Sequence, residues 1–373
     1  MPAETFDQRR LVGVHAERVT DVSSTDYPGH YPDEDHSWNL RNFIKNLTVE
    51  VQRLSQHSVE FDIVGVDASI ANAFRRIMIA EVPTVAIEHV FVWNNNTVIV
   101  DEVLAHRIGL IPLNVDPALM EMRGPDDQPT DRNTLVFKIK LECERVPKAK
   151  GSKASAPSDG PSSDILGPDP SKLYINHTLL SSHLEWTPAG LQSEVFASNP
   201  PAPTNPNIVL AKLRPGQCVE MELHAVKGVG KDHAKFSPVA TASYRLLPNI
   251  KILKPIPPES AEEFQKCFSP GVIKVNKETK EVSVDEWGVR KDSVSREVLR
   301  HPEFEGMVEL GRVRDWFLFN VESEGPYAPE RLLPEAVKVM REKLAIIKKA
   351  AEDMKEKYTT TTTGDEDVVM NNS

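Results

Sequence analysis

The sequence predicts an α+β fold in which β-rich stretches are interrupted by one apolar helix near residue 70 and closed by a longer helix near residue 340. Three observations carry this prediction. Residues 47–63 alternate apolar and polar side chains, residues 67–83 switch to helical spacing, and residues 333–354 repeat apolar side chains at alternating intervals of four and three.

The elements follow in order. Residues 1–42 are polar, turn-rich and aperiodic, which predicts an extended arm with Trp38 as its anchor. From residue 43 the chain is expected to be ordered. "LTVEVQRL" sets Leu47, Val49 and Val51 on one face, and after the polar turn "SQHS" the segment "VEFDIV" does the same with Val59, Phe61 and Ile63, as in a hairpin with one buried face. In "DASIANAFRRIMIAEVP", Asp67 is placed as an N-cap, Ile70, Phe74, Ile77 and Met78 share a helical face, and Pro83 ends the helix. "TVAIEHVFVW" returns to strand. "DEVLAHRIG" reads as a short helix with Asp101 as N-cap and Gly109 as C-cap, and "TLVFKIKLECERV" alternates again. The stretch 147–168 is Ser, Pro, Gly and Lys with almost nothing to bury, hence a flexible loop. Strands resume at "KLYINHTLL" and run through "NIVLAKLRPGQCVEMELHAV". In the last helix Leu333, Val337, Met340, Leu344, Ile347, Ala351 and Met354 form a seam that packs on the chain's own domain or on a partner, with the first reading favoured in isolation. Residues 359–373 read as a disordered acidic tail.

Composition excludes several functions. With 44 Lys+Arg against 55 Asp+Glu the formal net charge is −11, which argues against a chain whose main task is to coat nucleic acid or an anionic membrane. Cys143, Cys218 and Cys267 are too scattered for a disulfide framework or a zinc motif. They suit a reducing compartment. No apolar run reaches the roughly 20 residues that span a bilayer, and the N-terminus has no signal-peptide core, so a cytosolic or nuclear location is expected.

Chemical motifs are few. "KGVGK" (Lys227 to Lys231) imitates a phosphate loop, but the first glycine would fall on Ala225 and Asp232 stands where Ser or Thr should hold magnesium, so a tight turn is the better account. The histidines form no zinc pattern, there is no GxSxG elbow, and no carboxylate pair is singled out for acid–base work. No cofactor or catalytic residue is assigned. Arg75, Arg76 and Arg107 suit either phosphates or carboxylates across a protein interface, and the net charge favours the second.

Taken together, residues Phe61 to Leu113, "GVGKDHAKFSPVATASYRLLP" (Gly228 to Pro248) and "FLFNVESEGPYAPERLLPEAVKVM" (Phe317 to Met340) resemble the α-like subunits of DNA-directed RNA polymerases, most nearly the larger α-like subunit shared by polymerases I and III. The resemblance spans about Asn39 to Tyr358. It implies a discontinuous α-like dimerisation domain (43–83, 226–252 and 311–358), a β-rich domain inserted over 84–225, and a second insertion over 253–310. Within the latter, Phe264 to Phe304 is similar to the ferredoxin-like domain of some archaeal relatives. Only Cys267 is left there of the roughly four thiolates a cluster needs, which implies a degenerate ferredoxin-like insertion without its cofactor. The cysteine cluster that holds zinc in the polymerase II counterpart is missing too.

The resemblance further implies a non-catalytic assembly scaffold in the nucleus, including the nucleolus, with assembly beginning in the cytoplasm. Its partners would be a smaller α-like subunit in a heterodimer, the second-largest and largest subunits, and small zinc-binding subunits, with DNA met only through the assembled complex. The residues it places against partners are Asp67, Ile70, Ala71, Ala73, Phe74, Arg75, Arg76, Ile77 and Met78 in the first helix, His106 and Arg107, then Lys231, His233, Lys235 and Phe236, and Val337, Met340, Leu344 and Ile347 in the last helix. A second reading is direct nucleic-acid binding by Arg75, Arg76 and basic loops, whose mark would be a steep salt dependence.

Overall fold

The computed structural model describes residues 10–22, 37–146 and 173–365, the last nine of these by backbone alone. The expected loop 147–168 and the end of the expected tail lie outside the described residues. Along the chain come β1 (Leu11–Val14), β2 (Val19–Thr20), α1 (Leu40–Asn46), β3 (Thr48–Leu54), β4 (Ser58–Val64), α2 (Ala68–Ala80), β5 (Thr84–Asn95) and α3 (Asp101–Gly109). Then follow β6 (Thr134–Glu142), β7 (Glu185–Thr187), β8 (Cys218–Gly228), β9 (Val239–Ile252), α4 (Ala261–Lys266), β10 (Ile273–Val275), β11 (Val282–Val284), β12 (Val308–Ser323) and α5 (Pro329–Asp365). The chain divides into two compact units, residues 1–75 with 242–321 and residues 76–241 with 322–373, so α2 starts in one and ends in the other.

The first unit is built on a sheet of order β2-β1-β12-β4-β3, in which β9 also pairs with β12. The strand β1 corrects the expectation of an arm: Leu11 to Val14 pair antiparallel with Val313 to Leu310, and Val12 and Val14 are buried. Four residues are too few for a period to show. The arm ends early as well, since the Asn39 side chain caps α1 by accepting from the amides of Arg41 and Asn42. Between β3 and β4 the register sets Val49 opposite Ile63 and Val51 opposite Phe61, so the two strands do share a face. Only half of it is covered. Val59, Phe61 and Ile63 are buried, with Phe61 stacked on Phe319 at 5.0 Å, whereas Val49, Val51 and Leu54 on the edge strand stay exposed. Gly65 makes the turn into α2 at φ +80°, and a Cβ there would meet the Asn46 carbonyl oxygen at 2.3 Å.

Residues 253–307 of this unit hold α4, the β10–β11 hairpin and short 3-10 turns around Phe264, Phe268, Val272, Val298 and Phe304, packed with Val14, Val308 and Leu310. They are tied to the sheet by one buried ion pair. Asp62 accepts a bidentate contact from the Arg290 guanidinium, Nη1 lying 2.7 Å from Oδ2, and it also accepts from Trp316 Nε1 at 3.0 Å and Gln52 Nε2 at 3.3 Å.

The second unit contains a sheet of order β7-β6-β8-β5. Its inner face joins Leu104 and Ile108 of α3 to Phe137, Ile139, Met221 and Leu223 in one core. Here the expected cap shifts by a residue: Asp101 is the first helical residue after Val100, Gly109 is the last, and Leu110 is the C-cap. Asp101 instead accepts from Asn95 Nδ2 at 2.6 Å. The helix α5 also outruns its expected end at Tyr358, its backbone continuing to Asp365 into the stretch read as tail. Extending an existing helix adds one hydrogen bond per residue fixed, so a threonine run that would not start a helix can prolong one.

Candidate functional site: the end of the first helix and the base of the last

The sequence starts α2 with Asp67, whose Oδ1 accepts from the Ser69 amide at 2.8 Å. That bond and the Ser69 side chain hold the Asp67 carboxyl below its ordinary value. At the far end of α2, the "KGVGK" turn is a helix cap and has no phosphate-loop geometry. The Lys231 amide donates to the Ala80 carbonyl at 2.7 Å, and a Cβ on Gly230 would lie 2.3 Å from the Ile79 carbonyl oxygen. Only glycine lets the loop come this close.

The base of α5 meets the same place. Tyr327, just before the helix, donates its hydroxyl to the Pro83 carbonyl at 2.8 Å, and burial pushes its phenol pKa far up. Lys343 reaches both carboxylate oxygens of Glu81 at 2.8 and 2.9 Å, and Arg331 pairs with Asp116 at 3.1 Å. Between them lies a cleft of about 520 Å³ bordered by Lys227, Lys231, Lys338, Lys343, Glu335 and Glu342. Burial and the neighbouring Lys338 lower the Lys227 pKa, and its Nζ donates to the Met120 carbonyl at 3.0 Å. Sequence reading missed Glu81, Tyr327 and Lys227, since each acts through a long-range partner.

The sequence-predicted residues divide by accessibility. Ala71, Ile77 and Met78 are buried within this chain, and so is Phe236, which packs with Ala86 and Val226. These four are core side chains, with no more than a few per cent of their surface left for any partner. Small and apolar residues at helical spacing serve a core as well as an interface. Ile70, Ala73 and Phe74 are half-buried, while Arg76 is exposed. Arg75 is engaged within the helix, its Nε and Nη2 donating to Asn72 Oδ1 at 3.1 and 2.9 Å. Arg107 donates to the Val209 carbonyl at 2.7 Å, with His106 exposed beside it. His233 caps the turn that follows it, accepting from the Lys235 amide at 3.1 Å, and Lys231 is exposed. Lys235 donates to the Ile87 carbonyl at 2.8 Å and pairs with Glu88 at 2.6 Å.

In α5 the residues turned inward are Leu332 and Ala336, off the expected seam, while Leu333 and Met340 are half-buried. Val337 is 38% exposed, Leu344 58%, Ile347 64% and Met354 62%. Own-domain packing therefore ends near Met340. Beyond it the seam is a naked apolar stripe, flanked by the equally exposed Ile346. Among the described residues no group of three His, Cys, Asp or Glu side chains could hold a metal ion, and no helix is long and apolar enough to cross a membrane.

Comparison with known proteins fits this geometry to a family. Residues 60–344 match the model of the RNA polymerase Rpb3/Rpb11 dimerisation domain. The chain belongs to this family of α-like RNA polymerase subunits. It is 48% identical to the DNA-directed RNA polymerases I and III subunit RPAC1 of Saccharomyces cerevisiae over 91% of this chain and 97% of that one. With the Homo sapiens protein of the same name it shares 46% over 86% and 89%, and with the Dictyostelium discoideum polymerase II subunit rpb3 only 29% over 83% and 97%. The α-like subunit described here is thus structural and not catalytic.

Proposed function

We propose that this chain is the larger α-like subunit common to RNA polymerases I and III, a scaffold on which the large subunits assemble for synthesis of ribosomal RNA precursors, 5S and transfer RNA. The observation that carries the reading is the distal half of α5, an apolar stripe that none of the described residues covers. In this reading a smaller α-like subunit packs on α5 and on the open part of α2 (Ile70, Ala73, Phe74 and Arg76). The second-largest and small zinc-binding subunits dock on neighbouring surfaces, in the nucleus and nucleolus. Residues 253–310 serve as a ferredoxin-like insertion without a cluster, fastened by Arg290 and Asp62. The rival nucleic-acid reading by Arg75, Arg76 and basic loops loses one of its two arginines, since Arg75 is spent on Asn72 within its own helix.

The test is Leu344→Asp with Ile347→Asp in a conditional strain, followed by brief metabolic labelling. Both side chains are exposed, so folding is spared and only association is struck. Ribosomal precursor and transfer RNA synthesis should fall in parallel while messenger RNA synthesis continues at first. An early loss of messenger RNA with the other two spared overturns the proposal.

A further inference from the structure

The turn after β11 holds a tryptophan in a fixed place. Gly288 is buried, and a Cβ there would collide with the Gly271 carbonyl, so only glycine lets the turn close. The Trp287 amide donates to Asp285 Oδ1 at 3.3 Å, and the Arg290 guanidinium, itself held by Asp62, lies over the indole at 5.6 Å. Even so, 67% of Trp287 is exposed. A flat ring pinned by its own chain yet open to solvent is a ready stacking surface.

Beside it opens a cavity of about 570 Å³, which Trp287 lines together with Arg53, Arg245, Arg290 and Lys291. The two carboxylates on its border are both taken by arginine: Arg53 lies 3.6 Å from Glu60, and Arg290 grips Asp62. Glu50, which accepts from Gln52 at 3.2 Å, and Glu286 lie outside the lining. Arg245 is held at the border by donating Nη1 to the Asp292 carbonyl at 2.8 Å. Lys291 is exposed, and its ammonium has no partner among the described residues.

We infer that this cavity binds a nucleobase with its phosphate, the base stacked on Trp287 and the phosphate met by Lys291 and Arg53. Every base has a π-face, so an aromatic ring takes any of them, and a cation beside the ring supplies the pull on the phosphate. A phosphate alone would not need the ring, and an apolar ligand would not suit a border of cations. The site uses neither Arg75 nor Arg76. It is compatible with a net charge of −11, which speaks against a chain that coats nucleic acid and not against one local site. A free nucleotide and one unit of a single strand offer the same chemistry.

The experiment titrates the purified full chain with AMP and with a short oligoadenylate at low and high salt, following quenching of tryptophan fluorescence and, for a labelled strand, anisotropy. Both probes should bind. A strand held far more tightly than AMP makes a single strand the natural ligand, and equal affinity makes it the free nucleotide. Trp287→Ala should weaken binding roughly tenfold with an unchanged circular dichroism spectrum. Trp287→Phe should keep the affinity within roughly twofold while abolishing much of the quenching, which a merely structural role would not do. Lys291→Glu should weaken binding severalfold at low salt and flatten its salt dependence. Binding of neither probe overturns the inference, and so does ribose 5-phosphate competing as well as AMP. Trp287→Ala and Lys291→Glu variants that both bind like the parent chain overturn it too.

Discussion

Asp62 is a charged residue with almost no access to water, and its worth lies in the groups it would strand. Replacing it by Ala leaves the Arg290 guanidinium and the Trp316 N–H without their acceptor, a class of change that costs about 3–5 kcal/mol. Amide hydrogen exchange along β4 and across residues 285–292 should speed up together, and Asp62→Leu with Arg290→Met should recover most of the loss. If Asp62→Ala leaves both segments protected, the ion pair does not fasten the insertion. Asp67 works by charge at a helix start. Its folded carboxyl lies below the ordinary 3.8, so its stabilising contribution is present above that value and fades as pH falls through the folded value. Asp67→Ala should cost about 1 kcal/mol at neutral pH. Thermal unfolding of the two proteins should differ at pH 7 and converge in strong acid; a gap that persists in acid rules out the charged cap.

At the scale of elements, α2 and α5 behave oppositely although the sequence gives both an apolar stripe. Met78 is sealed in the core, so Met78→Ala should destabilise the chain by roughly 2–5 kcal/mol. Leu344→Ala on the exposed stripe should change its stability by less than about 0.5 kcal/mol and act on association alone. Denaturation and sedimentation of the lone chain separate the two, and a large stability loss from Leu344→Ala shows that the stripe is already packed. Periodicity, cap and proline made α2 legible, and the hairpin's alternation made β3 and β4 legible. Sequence spacing does not say which neighbour covers a stripe, so the inward residues of α5 proved to be Leu332 and Ala336. The pairing of β1 with β12 was hidden for a different reason. The strand is four residues long and its partner lies almost the whole chain away. At the candidate site, Lys231 and Lys235 were expected to face a partner; the contacts they make within the chain, to the Ala80 and Ile87 carbonyls, join residues about 150 apart and leave no mark on local spacing.

At the scale of the whole molecule, the position of β12 between β1 and β4 has a consequence for how the protein is made. A ribosome releases the chain from its N-terminus at roughly 5–20 residues per second, so the two early hairpins wait some tens of seconds for the strand that joins them. The sheet of β5, β6, β7 and β8 is complete in sequence by Gly228 and has no such wait. The middle of the gene product should therefore fold first and its two ends last. Throughout that interval β4 shows an open edge, an invitation to wrong pairing that a nascent-chain chaperone would have to cover. Stalled nascent chains give the check. With β8 clear of the exit tunnel and β12 still unmade, pulse proteolysis should spare residues 84–146 and 173–228 and cut within residues 48–64; protection of residues 48–64 as well before β12 emerges would mean that the hairpins find another partner on the way.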